Sequence, residues 1–193
     1  NPNSDTISLN VDTVGYKFMK KSGVLIMPML SNNYQREFRP EGLSRILHDK
    51  IKRQATIQKV LNECIKHNFI GINIDFEELK EPSDEALILF MKELSEAFHA
   101  KGLLVSQDIM PFNDDYNLRE LAKYNDYLVL MAYDEYSGTS DPGPISSQRW
   151  VEAAVRKCAE KVPPSKIILG LGAFGYDWPG SANGDYNLTY QQA

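Results

Sequence analysis

The sequence predicts an α/β fold of the (β/α)8 TIM-barrel type, and three observations carry that expectation. Five strand-like runs alternate with helical patterns: Val24 to Leu30, Phe69 to Phe76, Leu103 to Met110, Tyr127 to Ala132 and Lys166 to Leu171. That order implies a parallel sheet covered by helices. Polar residues follow the strands at Ser31-Asn32-Asn33-Tyr34, Glu77-Glu78, Tyr133-Asp134 and Tyr176-Asp177-Trp178. They gather at the carboxyl edge, where barrels assemble sites from many successive strands. No Gly-rich phosphate loop follows the first visible strand, which weakens an open nucleotide-binding sheet.

The helices follow from apolar spacing. Gly42 to His67 places Leu43, Ile46, Leu47, Ile57, Val60, Leu61, Cys64 and Ile65 at helical intervals, as a short helix followed by a longer one. From Asp84 to Ala100, Leu87, Phe90, Met91, Leu94 and Phe98 form one stripe, with Ser83 or Asp84 as cap and Gly102 beyond the end. A shorter helix is expected over Asn117 to Lys123. Another covers Trp150 to Val162 and stops at Pro163-Pro164. Before residue 20 only the remnant of a strand near Ile7 to Val11 is expected. After Trp178, Pro179 to Gly184 reads as a loop, with no apolar strand before Ala193.

The 193 residues are 42% hydrophobic, with a formal net charge of −5 and a pI near 5.3. This suits one globular domain and argues against nucleic-acid or anionic-membrane partners, which need clustered cations. Lys50-Ile51-Lys52-Arg53 reads as a solvated helix face. Cys64 and Cys158 read as buried thiols. No run approaches the roughly 18 apolar residues of a membrane span, so no insertion is expected from this segment. Asn1 in place of an initiating Met reads as an excised or processed segment, with no targeting signal in view.

The stretch Phe69-Ile70-Gly71-Ile72-Asn73-Ile74-Asp75-Phe76-Glu77-Glu78 sets the chemical question. Strand alternation puts Asn73, Asp75 and Glu77 on one face and Ile72, Ile74 and Phe76 on the other. Polar groups on a strand fit for burial are costly unless paired. Acids at i and i+2 lie about 6.5 Å apart at the backbone and point the same way. Such a pair suits glycoside chemistry, one acid held protonated for the leaving oxygen and one carboxylate steadying positive charge. A capping or ion-pair role, or a Mg²⁺ or Ca²⁺ site, fits the spacing as well. No His joins these carboxylates, because His48, His67 and His99 fall in helical patterns. Nucleophilic Ser chemistry has no Gly-x-Ser-x-Gly elbow to support it.

The stretch Gly71 to Glu77 resembles the fourth-strand signature D-G-x-D-x-D-x-E of the family 18 glycoside hydrolases, the chitinase-like enzymes. Val24 to Asn32 is similar to their third strand, Leu103 to Pro111 to their fifth, and Leu130-Met131-Ala132-Tyr133-Asp134 to the sixth-strand M-x-Y-D. Lys166 to Gly170, through Tyr176-Asp177-Trp178, resembles the seventh. The likeness runs from about residue 20 to 180. Phe174 to Trp178 is nearest the bacterial branch of spore-cortex and cell-wall N-acetylglucosaminidases.

The resemblance implies a retaining hydrolase of N-acetylglucosamine-containing polysaccharide: chitin-like, peptidoglycan or poly-N-acetylglucosamine. Glu77 is then the general acid, and the substrate's own 2-acetamido oxygen is the nucleophile. Asp75 accepts from the acetamide N–H, Tyr133 bonds the acetamide oxygen, and Asp134 lines the subsite. Tyr176 and Trp178 stack on sugar faces, or pack as ordinary loop aromatics. No cofactor and no metal are called for, an extracytoplasmic setting is implied, and other carbohydrate-active modules can be fused alongside. Residues 1–193 are expected as a single family-18-like domain truncated at both ends, since barrels take about 250 residues.

Ile70, Asn73 and Phe76 depart from the signature, where Asp, Asp and Trp are usual. Asn73 can hydrogen-bond Asp75 but cannot take up its proton, so an altered pH profile is expected. A non-catalytic, chitolectin-like binding module is the other reading. Such members typically lose the Glu that this chain keeps.

Overall fold

In a computed structural model, the structure describes residues 8, 13–178 and 186–189. They form two compact units. One runs to Asp108 and adds Asp114–Leu128; the other holds Ile109–Asn113 and the residues from Val129 onward. Five parallel-type strands follow one another in the order β1 (Met29–Ser31), β4 (Gly71–Asp75), β5 (Leu104–Ile109), β6 (Tyr127–Met131) and β7 (Ile167–Gly170).

In the first unit β4 pairs in parallel with β1 on one side and β5 on the other, with Asn73 opposite both Met29 and Ser106. Both neighbours come very close at Gly71. A Cβ there would meet the Leu104 carbonyl oxygen at 2.2 Å and the Met27 methyl at 2.7 Å, so only glycine fits. Helices α2 (Pro40–His48), α3 (Lys50–His67), α4 (Glu85–His99) and α5 (Leu118–Tyr124) complete this unit, with α1 (Thr13–Lys21) ahead of them.

Each helix has a local cause. The Asp49 side chain caps α3 by accepting from the N–H groups of Ile51 and Lys52. Asn68 ends that helix at φ +54°, its N–H returning to Cys64 and Ile65, a left-handed cap that Asn tolerates. Asp84, rather than Ser83, caps α4. Leu87, Phe90, Met91, Leu94 and Phe98 of α4 are buried, and Phe76 meets Phe90 at a ring separation of 5.5 Å. Phe76 therefore lies on the helix-covered face of β4, with Ile72 and Ile74. Each such fully buried side chain contributes about 1.5–3 kcal/mol.

In the second unit β6 runs on beside β7, the Ala132 N–H donating to the Gly170 carbonyl. Helix α6 (Gln148–Ala159) buries Ala154 and Cys158, and a 3-10 turn (Pro164–Lys166) leads into β7. A separate antiparallel hairpin pairs β8 (Phe174–Asp177) with β9 (Tyr186–Thr189).

Several expectations need correction. The first visible strand was expected from Val24 but starts at Met29. Ile26 and Pro28 still accept bonds from Ile70 and Asn73, but proline offers no N–H to a regular ladder. Ser31 still belongs to β1, and beyond it β2 (Asn33–Tyr34) and β3 (Glu37–Phe38) form a hairpin that was not expected. Gln35 and Arg36 both take positive φ at its turn, the backbone that a tight two-residue hairpin needs. Tyr176 and Asp177 are strand residues in β8, and β9 follows where no strand was expected. Helix α1 was missed because it buries nothing.

Arg53 is not part of a solvated face. It is buried, pairs with Glu93 through Nε and Nη2 at 2.9 and 3.0 Å, and donates Nη1 to the Leu47 carbonyl. The expected strand remnant at Ile7 to Val11 lies, apart from Ser8, outside the described residues.

Candidate active site

In the first unit the carboxyl end of β4 carries the acids. Asp75 closes the strand and is buried, and Glu77 lies two residues on, half-buried. The Asn32 side chain holds the backbone of Glu77 itself. Its Oδ1 accepts from the Glu77 N–H at 3.0 Å and its Nδ2 donates to the Glu77 carbonyl at 2.9 Å. The Tyr116 hydroxyl donates to the Phe76 carbonyl at 2.9 Å. Glu78, at φ +51°, turns the chain away.

The electrostatics single out Glu77. Burial first, then the charge and hydrogen bond of Asp75, then Asp108 and Glu78, push its carboxyl up to about 7. A carboxylic acid so placed holds its proton well above the usual carboxylate range. Burial pushes Asp108 up to about 6; the bond from Asn73 opposes that and the charge of Asp75 adds to it. Burial, with Glu77 and other nearby acids, also raises the Tyr116 phenol. Asp75 Oδ1 is buried and has no hydrogen-bond partner among the described residues.

Asn73 does not turn to Asp75 as expected. Its Nδ2 donates to Asp108 at 2.7 Å and its Oδ1 accepts from Ser106 at 2.6 Å. Ser106 and Asp108 alternate along β5 just as Asn73 and Asp75 do along β4, so the signal lay in the sequence. Reading Leu103 to Met110 only as a strand-like run left its polar face unremarked. Asn32 was noted only as a residue after a strand.

In the second unit Tyr133 follows β6, and Asp134 takes φ +61° and is exposed. The Tyr176 hydroxyl donates to Asp134 Oδ1 at 2.8 Å. The Trp178 Nε1–H donates to the Ser137 carbonyl at 3.1 Å. Tyr133, Phe174, Tyr176 and Trp178 form a row of ring contacts at 5.6–5.9 Å. Gly172 permits that packing, since a Cβ there would meet Tyr133 Cβ at 2.9 Å.

Among the described residues one group has metal-ligand spacing: His48, Glu81 and Asp84, with ligand atoms within 4.8 Å of one another. It contains none of the β4 or β5 acids. Asp84 already caps α4, and His48 Nδ1 lies 2.9 Å from the Ser44 carbonyl. Cys64 and Cys158 are free and buried, and burial pushes the Cys64 thiol up to about 11.

The family model described as glycosyl hydrolases family 18 matches residues 10–193. The chain belongs to family 18. Among curated relatives it is similar to an uncharacterized glycosylase, YvbX, of Bacillus subtilis, 27% identical over 83% of this chain and 50% of the relative. The cortical fragment-lytic enzyme of Bacillus subtilis is 27% identical over 78% of this chain and 37% of the relative. Among solved structures, a chitinase from Chromobacterium violaceum superposes with a TM-score of 0.84 at 26% identity, covering 95% of this chain and 60% of the other. The spore cortex-lytic enzyme SleL of Bacillus megaterium gives 0.87 at 23%, covering 97% and 46%. The fold is thus that of family 18, an α/β barrel of which this chain carries a part. It spans half or less of the length of these curated relatives. No helix among the described residues is long and apolar enough to cross a membrane.

Proposed function

We propose that this chain carries the acid-catalytic part of a retaining glycoside hydrolase that cleaves N-acetylglucosamine-containing polysaccharide with help from the substrate's acetamide. The observation that supports it most is Glu77, whose carboxyl is pushed up to about 7 by burial and by Asp75. It protonates the glycosidic oxygen as the C–O bond breaks. The acetamide oxygen of the sugar on the non-reducing side attacks the anomeric carbon, and the resulting oxazolinium ion is then opened by water. Glu77 takes back a proton from that water, and the two successive displacements from opposite faces leave the configuration retained.

The unpartnered, buried Oδ1 of Asp75 supports its role as acceptor for the acetamide N–H. A buried acceptor left unpaired is unfavourable, and a ligand N–H would satisfy it. Tyr133, Asp134, Tyr176 and Trp178 serve sugar binding in this reading. Their aromatic row and the Tyr176–Asp134 bond offer apolar faces beside a polar edge. The polymers in view are chitin-like chains, peptidoglycan and poly-N-acetylglucosamine, met outside the cytoplasm.

Turnover of a fluorogenic di-N-acetylchitobioside tests this. Release of fluorophore, with the β-anomer as first product, is the expected result. Saturable binding with no release would replace the hydrolase by a lectin-like module.

A further inference from the structure

Ser106 and Asp108 occupy alternate positions of β5, and both are buried. Because the strand register sets Asn73 opposite Ser106, the Asn73 amide spans from Ser106 to Asp108. Ser106 Oγ donates to Asn73 Oδ1 and Asn73 Nδ2 donates to Asp108 Oδ2. A charged carboxylate only accepts hydrogen bonds, so this relay locks the amide with its N–H toward Asp108. Met27 Sδ lies 3.3 Å from the Ser106 hydroxyl on the other side.

The groups acting on Asp108 and its neighbours are acids or neutral. They are Asn73, Asp75, Glu77 and Glu78 from β4 and the turn after it, Ser106 from β5, and Asp115 and Tyr116 from the segment before α5. Among the described residues no Lys, Arg or His is among the causes that shift Glu77, Asp108 or Tyr116. A buried acid with a neutral donor and no cation is an unfavourable way to join two strands. A second amide would join them without a charge.

We propose that Asp108 is a positioning residue for the acid step, its negative charge, fixed by Asn73, holding the proton on Glu77. This rests on the reading of Glu77 as the acid. A nearby like charge disfavours ionisation, and Asp108 is among the groups that raise Glu77. The register that ends with Ile74 opposite Gln107 leaves Asp108 next in line beside Asp75, and Asp75 is the group that acts most on Glu77 after burial.

Two variants test this, Asp108→Asn and the double Asn73→Asp/Asp108→Asn, which moves the carboxylate across the same hydrogen bond. Glu77 is followed by carboxyl-¹³C NMR titration, and the pH–rate profile is measured on the fluorogenic chitobioside. In Asp108→Asn the Glu77 midpoint and the basic limb should fall together by about half a pH unit, with KM little changed. The double variant should return both to the unsubstituted values or higher. An unmoved Glu77 midpoint in Asp108→Asn, or the same fall in both variants, overturns the proposal. Should the single variant fail to fold, a lowered Glu77 midpoint in the double variant overturns it as well. Absence of turnover in the unsubstituted protein sinks the hydrolytic reading and this proposal together. Normal turnover with an unmoved Glu77 sinks this proposal alone.

Discussion

The side-chain amide of Asn32 closes two hydrogen bonds on the backbone of Glu77, one to its N–H and one to its carbonyl. The residue that holds the Glu77 backbone thus comes from the segment after β1, 45 positions earlier. Asn32→Ala removes both bonds and leaves the Glu77 backbone free to shift. The expected result is a drop in kcat of about tenfold or more, with KM changed much less, since small misplacements of a catalytic group are expensive. Steady-state kinetics on the chitobioside checks it; equal losses through KM alone would mean that Asn32 serves binding instead.

The raised carboxyl of Glu77 has a consequence for stability. A free Glu ionises near 4.5 and Glu77 near 7, so between those values the folded protein binds the extra proton. Stability therefore falls as pH rises through this window and levels off above it. In Glu77→Gln the decline should be reduced, leaving the variant more stable than the parent by about 1 kcal/mol at pH 8, a value discounted for partial exposure. Urea midpoints measured from pH 4 to 8 report this directly. A parent whose midpoint climbs over that range would contradict the direction of the shift.

Arg53 and Glu93 form a partly buried pair, the arginine also holding the last turn of α2 through the Leu47 carbonyl. Arg53→Ala should cost about 3 kcal/mol, the low end for a buried pair because Glu93 remains in reach of water. Denaturant unfolding gives the number, and a loss below about 1 kcal/mol would place the pair with ordinary surface salt bridges.

Much of this molecule was legible because its strands are short runs of branched and aromatic residues between helical stripes. Ile72, Ile74 and Phe76 against Asn73, Asp75 and Glu77 is a period-2 pattern that only a strand explains, and it located the acids directly. What escaped shares one cause, the weakness of a local signal. In α1 the apolar residues Val14, Phe18 and Met19 stay exposed, so its short stripe joins no core. The hairpin Asn33 to Phe38 has two-residue strands and an unusual Gln35-Arg36 turn without glycine. Arg53 sits in a basic run, and only its distant partner Glu93 reveals that it is buried. Asp108 alternates with Ser106 along β5 in plain view of the sequence, but only the register that sets Asn73 opposite Ser106 shows that the two polar faces meet.

If the acetamide is the nucleophile, the substrate has to carry it. Acetylated oligomers should be cut and fully deacetylated ones should resist, because an internal nucleophile can act with an effective molarity of about 10⁵ M or more. A thiazoline analogue of the intermediate should inhibit competitively. Equal rates on both polymers, read by reducing-end release, would point to an enzyme carboxylate as nucleophile.

Glu77→Gln bears most directly on the whole reading. The amide is nearly isosteric, keeps the Asn32 bonds to the backbone, and cannot deliver a proton. Turnover of the fluorogenic di-N-acetylchitobioside by this variant should fall by about 10² to 10⁴-fold, while calorimetric binding of chitin oligomers persists. A variant that retains more than about a tenth of parental turnover would show that Glu77 is not the acid and turn attention to Glu78.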